Sequence, residues 1–136
     1  MEIERLEPND RSKVSAVAHL FDGPAREDAT DRFLSRPGHH LLVAYENGDA
    51  VGFVSGVEMT HPDKGTEMLL YELAVEDGHQ RRCIGKRLVE HLSAIAQEAG
   101  CYGMWVLTDD ENEGAKATYT SGGGTPSKQL LFAWTF

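Results

Sequence analysis

Asn47-Gly48, lying between two apolar runs, is the feature that most constrains this chain. Both central residues of a two-residue hairpin turn must accept positive φ, and Asn-Gly does so more readily than almost any other pair. It predicts strands over His40–Tyr45 and Ala50–Met59 joined at Glu46–Asp49, so an antiparallel sheet is the framework on which the rest must pack. A first strand is expected over residues 1–6. A helix capped by Asp10 or Ser12 follows, with Val14, Val17, Ala18 and Phe21 on one face, and a short helix through Phe33 and Leu34 ends at Pro37-Gly38. Beyond the hairpin come a strand at Glu67–Val75, a helix from Arg82 to Ala99 closed by Gly100, and a buried strand at Tyr102–Leu107. A helix over Glu113–Ser121 and a last strand over Gln129–Phe136 complete the order β α α β β β α β α β, an α/β chain.

The 136 residues fit one domain, 1–136, with no repeat or low-complexity linker. Thirteen Lys and Arg against 22 Asp and Glu leave a net charge of −9. That balance argues against nucleic acid or a lipid surface as partner and favours cationic ones. No apolar run approaches the roughly 18 residues a membrane span needs. Cys83 and Cys101 have no metal or disulfide-framework spacing, and the N-terminus lacks a signal-peptide pattern, so the cytoplasm is expected.

Against this acidic background stands Gln80-Arg81-Arg82-Cys83-Ile84-Gly85-Lys86-Arg87, four cations in eight residues at the predicted start of a helix. Cations there oppose the helix dipole, so an anion is the natural counterpart; free N–H groups following a strand and a turn make a phosphate site. Gly85 would let a phosphate approach the backbone. A solvated basic turn is the plainer alternative. Gly78 and Gly85 lie too far apart for a Walker loop, and the dinucleotide glycines are absent.

With these residues in register the chain resembles the GNAT N-acetyltransferase superfamily. The acetyl-CoA signature Gln/Arg-x-x-Gly-x-Gly/Ala is matched by Gln80 to Gly85, with Cys83 in place of the first glycine. Leu73-Ala74-Val75 is similar to the family strand whose backbone holds the acetyl and pantetheine groups. Asn112 and Tyr119 resemble its CoA-contacting Asn and its general-acid Tyr. The resemblance covers nearly the whole chain. It implies a single mixed, twisted sheet flanked by helices, with acetyl-CoA as cosubstrate in a cleft between the Glu67–Val75 and Tyr102–Leu107 strands. The cofactor would be held by Leu73, Ala74, Val75, Arg81, Arg82, Cys83, Ile84, Gly85, Lys86 and Asn112. At Cys83 an ordinary helical backbone is expected, its N–H still on offer; a binding module without turnover is the other reading.

Acetyl transfer to an amine needs a base for the amine, donors for the developing oxyanion and a proton for the thiolate. A phenol of pKa about 10 suits a thiol of about 8.5, so Tyr119 could supply the proton; a packing aromatic on an amphipathic helix is the plainer alternative, and the resemblance implies the acid. Glu72 is the candidate base: alternation places it between Leu70 and Ala74, where partial desolvation would raise its pKa, and an exposed strand Glu is the plainer alternative. Tyr71-Glu72-Leu73-Ala74-Val75 is similar to the Tyr-Asp-Leu-Ala-Val of type I aminoglycoside 3-N-acetyltransferases, in which the Asp contacts the acetylated amine. The resemblance implies a small cationic acceptor, the 3-amino group of an aminoglycoside first, another polyamine or a protein amine second. Asp109 and Asp110 are the expected substrate carboxylates, with Glu27, Asp28 and Asp31 as a second acidic wall; Asp110 and Glu113 would also cap the following helix.

No HExxH or Cys/His cluster suggests a metal. His79 could touch CoA or sit at the surface, and Trp105 is expected in the core. Leu130 to Phe136 is apolar on both strand faces, which requires insertion in the sheet or cover from a second copy; insertion is expected, with a homodimer contact as the other outlet.

Overall fold

A computed structural model describes residues 1–80 and 83–136. The five strands are β1 (Glu2–Arg5), β2 (His39–Glu46), β3 (Asp49–His61), β4 (Gly65–Val75) and β5 (Met104–Trp105). The helices are α1 (Arg11–Val17), α2 (Glu27–Ser35), α3 (Ile84–Glu98) and α4 (Glu113–Ser121), with single 3-10 turns at Ala18–Leu20 and Asp77–His79. Strands run β1-β2-β3-β4-β5 across one sheet, antiparallel except for the parallel β4–β5 pair. This is the mixed, helix-flanked α/β architecture expected.

The Asn47-Gly48 turn forms as the sequence requires, with φ of 51° and 84°. Each face of the sheet then buries its own core. On one side α1 and α2 bring Val14, Val17 and Leu34 against Leu41, Val43 and Phe53. On the other, Ile84, Leu88, Leu92 and Ala96 of α3 recur at four-residue spacing over Leu42, Val54, Met68 and Leu70. Gly52 and Gly56 let α3 press onto β3: a Cβ on Gly56 would stand 2.8 Å from Leu92 Cδ1. Gly100, at φ 82°, ends α3, with its N–H donating to Gln97 O and that of Cys101 to Ala96 O.

Three expectations are corrected. Residues 125–136 form no strand, and Leu130, Leu131, Phe132, Trp134 and Phe136 are all exposed, so the tail is not inserted in this chain's sheet. With no strand beyond it, the expected Tyr102–Leu107 strand shrinks to Met104–Trp105, and Trp105 is 38% exposed rather than core. The third concerns β4. Its pairing with β3 slips from Gly56↔Leu70 to Ser55↔Glu72, leaving Tyr71 as an extra, bulged residue. Simple alternation therefore fails: Leu70 turns to the α3 face, and Glu72 to the α1/α2 face opposite Ser55.

Candidate functional site

The bulge sets the geometry. β4 and β5 pair only at Met68↔Met104 and Leu69↔Trp105, and beyond these the two chains part. The Val75 carbonyl accepts from Gln80 Nε2 at 3.2 Å rather than from β3, so the main chain there, and by alternation at Leu73, faces the opened side. Unpaired strand amides in such a gap are donors for an extended polar chain or an oxyanion.

The start of α3 lies against this half of β4. Its leading residue Cys83 has φ 62° and ψ 16°, left-handed, and no side chain caps the helix. The expectation of an ordinary helical backbone at Cys83 is thus wrong: Cys occupies the conformation that suits glycine. Left-handed backbone costs an L-residue about 1–2 kcal/mol. By calorimetry Cys83→Gly is expected to raise the unfolding temperature and Cys83→Val to lower it; the reverse order would refute the strain. Among the described residues the first turn holds no acidic side chain and Cys83 makes no cap bond, so the N–H groups at Ile84, Gly85 and Lys86 are the donors this helix end offers an anion. The Ile84 side chain itself is buried. A Cβ on Gly85 would meet Thr118 Cγ2 at 3.0 Å and Leu73 Cδ2 at 3.7 Å, so this glycine serves the close approach of α3, α4 and β4. Lys86 lies 3.8 Å from Glu90. Arg81 and Arg82 lie outside the described residues.

Asn112 is the N-cap of α4, its Oδ1 accepting from Ala115 N at 3.0 Å, which takes the cap role from Asp110 and Glu113. Its amide group still has donors to offer. One face of α4 carries Tyr119 into the α3-side core, where burial pushes the phenol pKa up and keeps it protonated. With Leu70, Met104, Trp105 and Val106, Tyr119 lines a cavity of about 210 Å³.

Glu72 opens on the other face, into a pocket of about 250 Å³. Its walls are Phe21, Phe33, Leu41 and Phe53, with Ser55, Tyr71 and Arg26 as polar members. Phe21 meets Phe53 edge to face at 4.9 Å. Burial, and then the Asp22 carboxylate, raise the Glu72 pKa. The assignment of a partly desolvated carboxyl is therefore sound, although the desolvating groups are aromatic rings and not Leu70. Ser55 and the aromatic walls escaped sequence reasoning because the bulge that faces them together leaves no mark in the alternation.

The expected acidic walls are elsewhere. Neither Asp109 nor Asp110 lines this pocket; Asp110 is 3.2 Å from Lys116 and 3.8 Å from Lys128. Glu27 and Asp31 hold Arg11, joining α1 to α2, and Asp28 lies 3.4 Å from Arg26. His79 Nε2 lies 3.3 Å from Glu46, a structural contact. Among the described residues no group of three or more His, Cys, Asp or Glu converges as a metal site, and no helix is long and apolar enough to cross a membrane.

The chain is similar to known proteins in sequence and in fold. The acetyltransferase (GNAT) family model matches residues 7–123. N-acetyltransferase 8 of Rattus norvegicus is 31% identical over 97 residues, 71% of this chain, which spans only 44% of that protein. N-alpha-acetyltransferase RimI of Mycobacterium tuberculosis is 30% identical over 112 residues, covering 82% of this chain and 68% of RimI. The fold superposes with a TM-score of 0.90 on the aminoglycoside acetyltransferase meta-AAC0020, from an uncultured soil metagenomic sample, solved with sisomicin; identity is 23%, over 99% of this chain and 95% of that one.

Proposed function

The chain belongs to the acetyltransferase (GNAT) family, and on that premise we propose that it transfers acetyl from acetyl-CoA directly to a primary amine of an aminoglycoside, with the 3-amino group as the position attacked. The observation that carries this reading is Glu72: a carboxyl of raised pKa in a pocket on the strand whose opposite edge is open. Acetyl-CoA supplies the activated acyl group. The N–H groups at the start of α3, with Arg81, Arg82 and Lys86, would hold its diphosphate; main-chain groups of Leu73, Ala74 and Val75 and the Asn112 amide would hold the arm behind it. The uncapped helix end and the parted strands fit such a ligand.

In the reaction Glu72 accepts a proton from the substrate ammonium, and the neutral amine forms its N–C bond to the acyl carbon. Strand amides at the gap would stabilise the oxyanion; as the C–S bond breaks Tyr119 would give its proton to sulfur, and the second amine proton, lost as the nitrogen becomes an amide, would return through solvent to the Tyr119 phenolate. Glu72 and Tyr119 belong to opposite faces of the sheet, consistent with an acceptor and a leaving group on either side of the acyl carbon.

The aminoglycoside assignment draws on the net charge of −9 and on the fold shared with the sisomicin-bound enzyme. Asp109 and Asp110, exposed on the loop before α4, would attract the polycation from outside the pocket. The aromatic walls around Glu72 favour a second reading, an amine carried on an apolar body such as a peptide N-terminus, the group acted on by RimI as its name states. Thiol release from acetyl-CoA, measured with aminoglycosides, diamines and peptides side by side and followed by product mapping, tests both. Aminoglycoside-dependent release with a 3-N-acetyl product is expected. Release with apolar peptides alone would transfer the assignment to the second reading, and silence across the panel would end both.

A further inference from the structure

The cavity beside Tyr119 is larger than an acetyl group needs. Leu70 of β4 and Val89 of α3, both buried, line it together with Met104 and Val106, which are half-buried. Ser93, one turn after Val89, is on the same helix face, and its hydroxyl already accepts from Gln97 Nε2 at 3.3 Å. The main chain of Gly122 to Gly124 closes the cavity. A Cβ on Gly122 would stand 2.8 Å from Val89 Cγ1, and one on Gly124 3.0 Å from Tyr119 O, so this wall is bare backbone. Its three N–H groups are spent within the turn, donating to Thr118 O, Thr120 O and Tyr119 O at 3.0, 3.1 and 2.9 Å. An occupant therefore meets apolar side chains and satisfied backbone, with the Tyr119 hydroxyl as a polar partner.

We infer that this cavity receives the acyl chain of the cosubstrate, so that the enzyme transfers straight-chain acyl groups of up to about six carbons as well as acetyl. The inference rests on the acetyl-transfer reading, which sets the thioester at Tyr119. Position along the fold favours it. Gly85, in the first turn of α3, stands beside Leu73 of β4; one turn further, Val89 shares the cavity with Leu70. Helix and strand therefore run in opposite directions here. A cofactor arm held along Val75 and Leu73 arrives at Tyr119 heading towards Leu70, and the cavity continues that line. From Gly85 to Ser93 the helix advances about 12 Å. Size agrees: an apolar cavity of about 150 Å³ takes up benzene, and this one is about 210 Å³. The reaction balances as it does for acetyl. The amine forms its N–C bond to the acyl carbon, the C–S bond breaks, and CoA leaves as the thiol with the Tyr119 proton. The second amine proton returns through solvent to the phenolate.

Titration calorimetry and thiol release on the full chain, with acetyl-, butyryl-, hexanoyl- and decanoyl-CoA, test this. Affinity is expected to rise roughly fourfold per methylene from acetyl to hexanoyl, and to stop rising at decanoyl. With the acceptor that supports acetyl transfer, kcat/KM for butyryl- and hexanoyl-CoA should stay within about tenfold of that for acetyl-CoA; a site closed behind acetyl would reject each added methylene by at least about that factor. Ser93→Leu and Val106→Phe fill the cavity from two sides. Each should leave the acetyl-CoA kinetics within about twofold and lower those of hexanoyl-CoA by more than about tenfold. Affinity that is flat across the series, or folded variants that keep the native chain-length profile, would overturn the proposal. Release from acetyl-CoA with none from butyryl-CoA would overturn it while leaving the acetyl-transfer reading intact. Silence with every donor would end that reading, and the affinity series would then decide for the cavity alone. The native series decides if neither variant folds.

Discussion

Tyr119→Phe is expected to lower kcat by about 10²–10⁴ while the unfolding temperature stays close to that of the native chain. The ring packs against the α3-side core, and the substitution keeps the ring and removes only the hydroxyl. Burial raises the phenol pKa, so the group is protonated at neutral pH and is available as a donor to sulfur when the C–S bond breaks. Loss of that proton should matter most when the leaving thiolate is most basic. An acyl thioester of a more acidic thiol should therefore recover much of the lost rate in Tyr119→Phe and change the native rate little. Equal losses with both donors would make Tyr119 a packing residue, and an unchanged kcat would remove it from the reaction.

How far these residues were legible beforehand depended on whether local chemistry or distant packing positioned them. Asn47-Gly48 demanded a turn with positive φ, and it formed; Gly100 demanded the end of α3, and it did. The Glu72 carboxyl was placed in an apolar setting for a reason that proved incomplete. Period-two alternation cannot anticipate an extra residue, and Tyr71 is that residue, so Leu70 and Glu72 went to opposite faces. Cys83 was misread because its left-handed backbone follows from the strand-to-helix junction and not from any preference of cysteine. Gly85 was read as letting a phosphate approach the backbone; its packing neighbour Thr118, thirty-three residues later, is one that spacing cannot reveal. The tail was read as a strand inserted in the sheet, but residues 125–136 form none, because its alternating apolar pattern does not say which surface, if any, it can reach. The ion pairs of the acidic residues were not legible: Glu27 and Asp31 found Arg11, and Asp110 found Lys116 and Lys128.

Glu72→Gln is expected to lower kcat by about 10²–10⁴ and, at neutral pH, to make the protein more stable. The two effects share one cause. Aromatic walls and Asp22 disfavour the carboxylate, so the folded state holds the Glu72 proton more tightly than the unfolded chain does. The folded protein therefore binds more protons between the two pKa values, and stability falls as pH rises from the unfolded value of about 4.3 through the raised folded one. Below that window Glu72 is neutral in both states and Gln should bring no gain; above it the carboxylate opposes folding and Gln, neutral and of the same shape, should raise the unfolding temperature. Activity runs the other way. A base must be unprotonated, so the native kcat/KM should climb through the same window, and the variant should lose that rise. Calorimetry and kcat/KM measured across one pH series check both limbs. If the variant kept the acidic limb of the rate profile, the base would be another group. If it gained no stability at neutral pH, the pocket would not disfavour the charge, and the argument that Glu72 is poised to take a proton would fall with it.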